Sequence, residues 1–118
     1  MLIRTLTRKL ISGTYHSISG LLFAFREEQA FRLEAILCIL LIPLSLWLGH
    51  TKIEKALLFF VWMLVPLVEL LNSAIENAIN RISHERHPLS RRAKDMGSAA
   101  VFVASLTCTM VWVVVLFC

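Results

Sequence analysis

The twenty residues Ala99–Cys118 carry no charged side chain. Rising 1.5 Å per residue, a helix of that length covers roughly 30 Å, the thickness of a bilayer's hydrocarbon core. No other feature constrains the chain as strongly. A backbone at that depth must satisfy its hydrogen bonds internally, as a helix or a closed barrel, and the sequence has no strand pattern. Two further apolar runs accompany it. Ala35–Gly49 lies between Arg32 and Glu34 on one side and His50 and Lys52 on the other. Ala56–Val68 runs without a breaker into Glu69-Leu-Leu-Asn-Ser-Ala-Ile-Glu76 and on to about Ile82. The pattern predicts an all-α membrane protein with spans at about 33–49, 53–82 and 96–118. The first two form a tight helical hairpin around His50–Lys52.

Composition agrees. Over 118 residues, 58% are hydrophobic and 17% charged, with a mean hydropathy of +0.74. Soluble domains carry roughly 45–50% apolar and about 25% charged residues. A water-soluble globule, a disordered chain and a two-domain enzyme are thereby excluded. Cys38, Cys108 and Cys118 all lie in apolar runs without a CxxC spacing. They read as small buried hydrophobes, neither a disulfide frame nor a metal site. The early run Leu21–Phe25 is too short for a signal-peptide core, so none is expected.

Charge gives an orientation. Arg4, Arg8, Lys9, Arg26 and Arg32 precede the first span, and Arg81, Arg86, Arg91, Arg92 and Lys94 lie between the second and third. The first turn holds only Lys52 and Lys55. The positive-inside rule places the N-terminus and the second loop in the cytoplasm, with Trp47 at the outer interface. Residues 1–30 read as an interfacial helix. Ile11, Tyr15, Ile18, Leu22 and Phe25 mark an apolar stripe, and Arg4, Arg8, Ser12 and His16 a second flank. Such a helix suits an anionic leaflet. Ala93, Gly97, Ala100 and Ala104 form a small-residue packing stripe at the start of the third span. Pro43 and Pro66 each remove a backbone donor inside a span.

Ionisable groups at membrane depth are costly and point to function. Glu69, Asn72, Ser73, Glu76 and Asn80 share one helical face. A metal, a proton or a substrate hydroxyl would each serve as their partner. Glu27, Glu28 and Glu34 form a second acidic group at the start of the first span. Two carboxylates with phosphate oxygens are an ordinary ligand set for Mg²⁺. The donor-rich stretch Ser83–Asp95 beside them fits a polyanion carrying a divalent cation, such as a nucleoside triphosphate. No P-loop, dinucleotide fingerprint or protein-kinase motif is present, and nothing but the pI of about 9.3 speaks for nucleic acid.

Glu69-Leu-Leu-Asn-Ser-Ala-Ile-Glu76, His87-Pro-Leu-Ser and Ala93-Lys-Asp-Met-Gly-Ser-Ala-Ala100 resemble the small prokaryotic diacylglycerol kinase family. So does Glu28-Gln-Ala-Phe-Arg-Leu-Glu34. The resemblance runs in order over essentially the whole chain. It implies a homotrimeric bundle in the bacterial inner membrane, with active sites shared between neighbouring subunits. It implies transfer of the γ-phosphoryl group of MgATP to the primary hydroxyl of diacylglycerol. By motif position, Glu69 corresponds to a general base with Asn72 as its polar support, and Glu28 and Glu76 to Mg²⁺ ligands. Lys9, His16, Glu28, Glu76, Glu85, Arg86, His87, Lys94 and Asp95 correspond to ATP contacts. Ala30, Phe31, Arg32, Leu33, Glu34, Trp47, Leu48, Lys55, Glu69, Ser98 and Trp112 fall along the lipid path. The chain departs from the family at Lys9, where arginine is common, and at Leu22 and Leu33, where polar residues are. Lysine does not replace arginine's fork. An undecaprenol kinase of the same architecture is the near alternative. A non-enzymatic proton-conducting or assembly subunit is the alternative of another class.

Overall fold

The computed structural model describes Met1–Cys118. It consists of four helices: α1 (Leu2–Glu27), α2 (Gln29–Leu48), α3 (Lys52–Ile82) and α4 (Pro88–Phe117). The last three are long and apolar enough to cross a membrane. Helix α3 is the hub, packed against both α2 and α4. Helix α1 meets the others along its C-terminal part, where Ser17, Gly20, Leu21 and Ala24 share a groove with α3 and Ala24 is its one buried residue. The molecule measures 48 × 47 × 24 Å, with α1 as a second long arm beside the bundle. Its stripe residues Ile11, Tyr15, Ile18, Leu22 and Phe25 are all exposed, as an interfacial helix requires.

The start of α3 is set by a capping box. Thr51 Oγ1 accepts from the Glu54 N–H at 3.1 Å, and Glu54 Oε2 accepts from the Thr51 N–H at 3.2 Å and the His50 N–H at 2.7 Å. The turn is therefore Gly49–Thr51, and Lys52 is already helical. Gly49 is required there, because a Cβ would stand 2.8 Å from the Lys55 backbone nitrogen. Thr51→Ala is expected to cost about 1 kcal/mol, read as a lowered unfolding midpoint in micelles.

Two boundaries differ from the expectation. Helix α1 ends at Glu27, so Ala30 belongs to α2, which begins at Gln29. Helix α4 begins at Pro88, well before residue 96. His87 Nδ1 accepts from the Leu89 N–H at 3.1 Å, and Pro88 occupies the first helical position, where its missing donor costs nothing. Arg91, Arg92, Lys94 and Asp95 are thus helical, and only Ser83–His87 form the connection.

The core is Val61, Trp62, Val65 and Cys108, with Leu37, Cys38, Leu41 and Ala104 against it. Each indole N–H in it is used. Trp62 Nε1 donates to Cys38 Sγ at 3.1 Å, and Trp112 Nε1 donates to the Leu58 carbonyl at 3.2 Å. Cys38 and Cys108 are packing residues as expected, whereas Cys118 is exposed. The small-residue stripe needs a correction: Gly97 is buried and Ala104 half-buried, but Ala100 is exposed. The face of α4 turned to α3 follows Gly97, Val101, Ala104, Cys108, Val111 and Val115. That alternation of four and three is the seam of left-handed packing.

Candidate active site

The interior of α3 is polar at its Ile82 end. Glu69 is 8% exposed, Asn72 9% and Ser73 5%, while Glu76 is half-buried. The spacing of three, four and seven residues puts all of them on the face turned to the other helices. Helix α4 accommodates them by a glycine. A Cβ on Gly97 would strike Asn72 Oδ1, so a larger residue there must displace that amide.

Glu28 arrives from the α1–α2 junction. Its Oε1 accepts from Asn77 Nδ2 at 3.3 Å, and the same amide donates to the Ser73 carbonyl at 2.9 Å. Glu76 and Glu28 stand within electrostatic reach of Glu69, and Glu69 within reach of Glu34. Glu69 thus has carboxylate neighbours on α2, on α3 and at the α1–α2 junction. No lysine, arginine or histidine lies within 4.0 Å of any of them; the two ion pairs, His50–Glu54 and Arg91–Asp95, are elsewhere. Glu34 Oε2 and Asn72 Oδ1 are buried without a hydrogen-bond partner. Buried carboxylates without counter-charge are unfavourable unless a cation or proton joins them. No three of these side chains are placed to bind a metal together. The donor set is oxygen only, the chemistry that Mg²⁺ takes with one or two carboxylates and a shell completed by water and phosphate oxygens.

Beside this cluster, the ends of α3 and α4 and their connection enclose an open cleft of about 970 Å³. Glu85, Arg86, His87, Lys94 and Asp95 all line it, with Asn80. Lys94 Nζ donates to Asn80 Oδ1 at 2.8 Å. A neutral amide orients the ammonium without cancelling its charge. Arg91 and Asp95 approach at 3.9 Å on an exposed face, a pair worth little in water.

Other expected residues lie apart. Lys9 and His16 sit on the polar flank of α1 with Arg8 and Ser12, on a surface that includes no residue of α3 or α4. Along the expected lipid path, Ala30, Leu33, Trp47 and Ser98 are exposed and Phe31 is buried. Leu48, Lys55 and Trp112 are half-buried, the last with its N–H already engaged. Arg32 donates to carbonyls of α1. Asn77 was not among the expected residues. Its role depends on where the α1–α2 junction falls, which α3's own periodicity cannot show.

Three helices able to span a bilayer, with buried carboxylates near a cation-lined cleft, make this a small polytopic membrane protein with a polar interior. Comparison with known proteins narrows the class. The model of the prokaryotic diacylglycerol kinase family matches residues 15–116. The diacylglycerol kinase of Haemophilus influenzae is 51% identical over 108 residues, 92% of each chain. That of Pseudomonas aeruginosa is 48% identical over 109 residues, 92% of this chain and 89% of its own. That of Escherichia coli K12 is 42% identical over 109 residues, with the same two coverages. The chain belongs to the prokaryotic diacylglycerol kinase family and is a lipid phosphotransferase.

Proposed function

We propose that this chain transfers the γ-phosphoryl group of ATP to the primary hydroxyl of diacylglycerol, at the cytoplasmic face of the bacterial inner membrane. The observation that carries the reading is the uncompensated carboxylate cluster next to a cleft lined by cations. Glu69 accepts the hydroxyl proton as the lipid oxygen attacks the γ-phosphorus. The bond from that phosphorus to the β,γ-bridging oxygen breaks, leaving ADP and phosphatidic acid. Asn72 holds Glu69 in place from one turn away. Glu28 and Glu76 are the residues that would hold Mg²⁺, which supplies charge neutralisation on the triphosphate when bound. Arg86, His87, Lys94 and Asp95, with Glu85, receive the nucleotide. Phosphoryl transfer depends mainly on positioning and charge, so no P-loop is required.

Depth separates the two substrates. Glu69 and Glu76 are two turns apart, roughly 10 Å along α3. The base lies at the level of a lipid hydroxyl, and the metal ligands at the level of a nucleotide from water. Ala30, Phe31, Leu33 and Glu34, then Trp47, Leu48, Lys55, Ser98 and Trp112, line the lipid's course. In a homotrimer, Lys9 and His16 of one subunit complete the nucleotide site of the next. Their separation from the cleft within one chain supports that arrangement.

Glu76→Gln is expected to raise the apparent KM for ATP by about 10–100-fold, the loss of one charge-assisted contact. Excess Mg²⁺ should recover part of it. Unchanged nucleotide binding would remove Glu76 from the ligand set. The acceptor is tested by offering diacylglycerol and undecaprenol separately in mixed micelles. Label in phosphatidic acid is expected; label in polyprenyl phosphate alone would keep the mechanism and change the substrate.

A further inference from the structure

A single non-helical residue, Glu28, separates α1 from α2, at φ −105° and ψ 107°. The bend has none of the usual devices. No glycine or proline occurs in Phe25–Arg32, and α2 has no side-chain N-cap. Yet the bend decides whether Glu28 reaches Asn77. Its fixing group comes from the following turn. The Ala24 carbonyl accepts from the Glu28 N–H at 2.8 Å, which closes the helix's own ladder. The next two carbonyls are taken by one side chain: Arg32 Nε donates to Phe25 O at 2.8 Å, and Arg32 Nη2 to Arg26 O at 2.6 Å.

Charge explains the direction. A cation in the first turn of α2 opposes that helix's dipole, whereas at the C-terminus of α1 it is favourable. Glu28 is four residues before Arg32, the spacing of a helical ion pair, yet no carboxylate lies within 4.0 Å of the guanidinium. The arginine is committed to backbone, and Glu28 stays available to α3. Lysine could not reproduce this, because it has no planar fork to span two successive carbonyls.

We propose that Arg32 is a positioning residue. It locks the α1–α2 elbow and thereby holds Glu28 in the carboxylate cluster, instead of meeting the lipid. This rests on the nucleotide-site reading of Glu28. The test uses the full-length protein in micelles, with Mn²⁺ as a spectroscopic probe for Mg²⁺. Binding of Mn²⁺·ATP and the KM for diacylglycerol are measured for Arg32→Lys, Arg32→Gln, Glu28→Gln and the Arg32→Lys/Glu28→Gln double variant. Arg32→Lys is expected to weaken Mn²⁺·ATP binding about 10–100-fold, the usual effect of losing a group that orients a ligand. The lipid KM should not move, and Arg32→Lys should cost less than about 2-fold on top of Glu28→Gln. A raised lipid KM with normal Mn²⁺·ATP binding would overturn the proposal, as would full additivity. Normal binding in Glu28→Gln would instead remove the nucleotide-site reading beneath it. Should Arg32→Lys fail to fold, Arg32→Gln carries the same comparison.

Discussion

Glu69→Gln should bind ATP as the parent does and turn over about 10²–10⁴-fold more slowly, the range that general base catalysis supplies. The substitution preserves volume at a position only 8% exposed, so packing against α2 and α4 is kept. It also removes a carboxylate that Glu34, Glu28 and Glu76 face, so stability should not fall. What it removes is the oxygen proposed to take the lipid proton. The comparison separates two explanations of a buried glutamate. A structural role predicts near-full activity for the isosteric amide. A role as base predicts a loss in kcat with little change in nucleotide affinity. Steady-state kinetics together with equilibrium ATP binding on one preparation checks both.

Gly97→Val should destabilise the bundle by about 1–3 kcal/mol, the usual cost of forcing extra methyl groups into a packed interface. The first atom added already falls on Asn72 Oδ1. Asn72 must turn away, and Glu69 loses its neighbour. Displacement of a positioning group by about 1 Å can cost 10²-fold in rate, so kcat should drop as well. Gly97→Ala should show the same effects more weakly. Removing the obstruction gives the sharper result: Gly97→Ala/Asn72→Ala should regain thermal stability relative to Gly97→Ala, yet stay slow. If activity returned with stability, Asn72 would be packing alone. Unfolding midpoints and kcat in the same micelles distinguish these outcomes.

Both variants act on a face of α3 that is legible in the sequence. Glu69, Asn72, Ser73 and Glu76 interrupt an apolar run at helical spacing, and their burial follows from that. The spans are legible for the same reason, since apolar runs of that length have few alternatives. The places where chain direction changes were less so. Thr51 and Glu54 have the spacing of a capping box, which starts α3 at Lys52, ahead of the apolar run that marks the span. His87 and Pro88 start α4 before the apolar run begins, because a cap acts on backbone donors whatever the hydropathy that follows. The elbow at Glu28 has no local signal at all; it depends on an arginine four residues later folding back. Asn77 entered the site through that elbow. Ala100 faces outward because the α3–α4 seam follows a spacing of four and three through Val101, and residue size alone did not set it. Lys9 and His16, the nucleotide contacts proposed on α1, share their surface with α1 residues alone, and nothing within one chain brings them to the cleft.

The most direct measurement is phosphoryl transfer from γ-labelled ATP to diacylglycerol in mixed micelles, with and without Mg²⁺, for the parent and Glu69→Gln. The predicted result is label in phosphatidic acid that requires Mg²⁺ and disappears in the variant. A folded protein that binds ATP and labels no lipid, or one in which Glu69→Gln matches the parent, would contradict it.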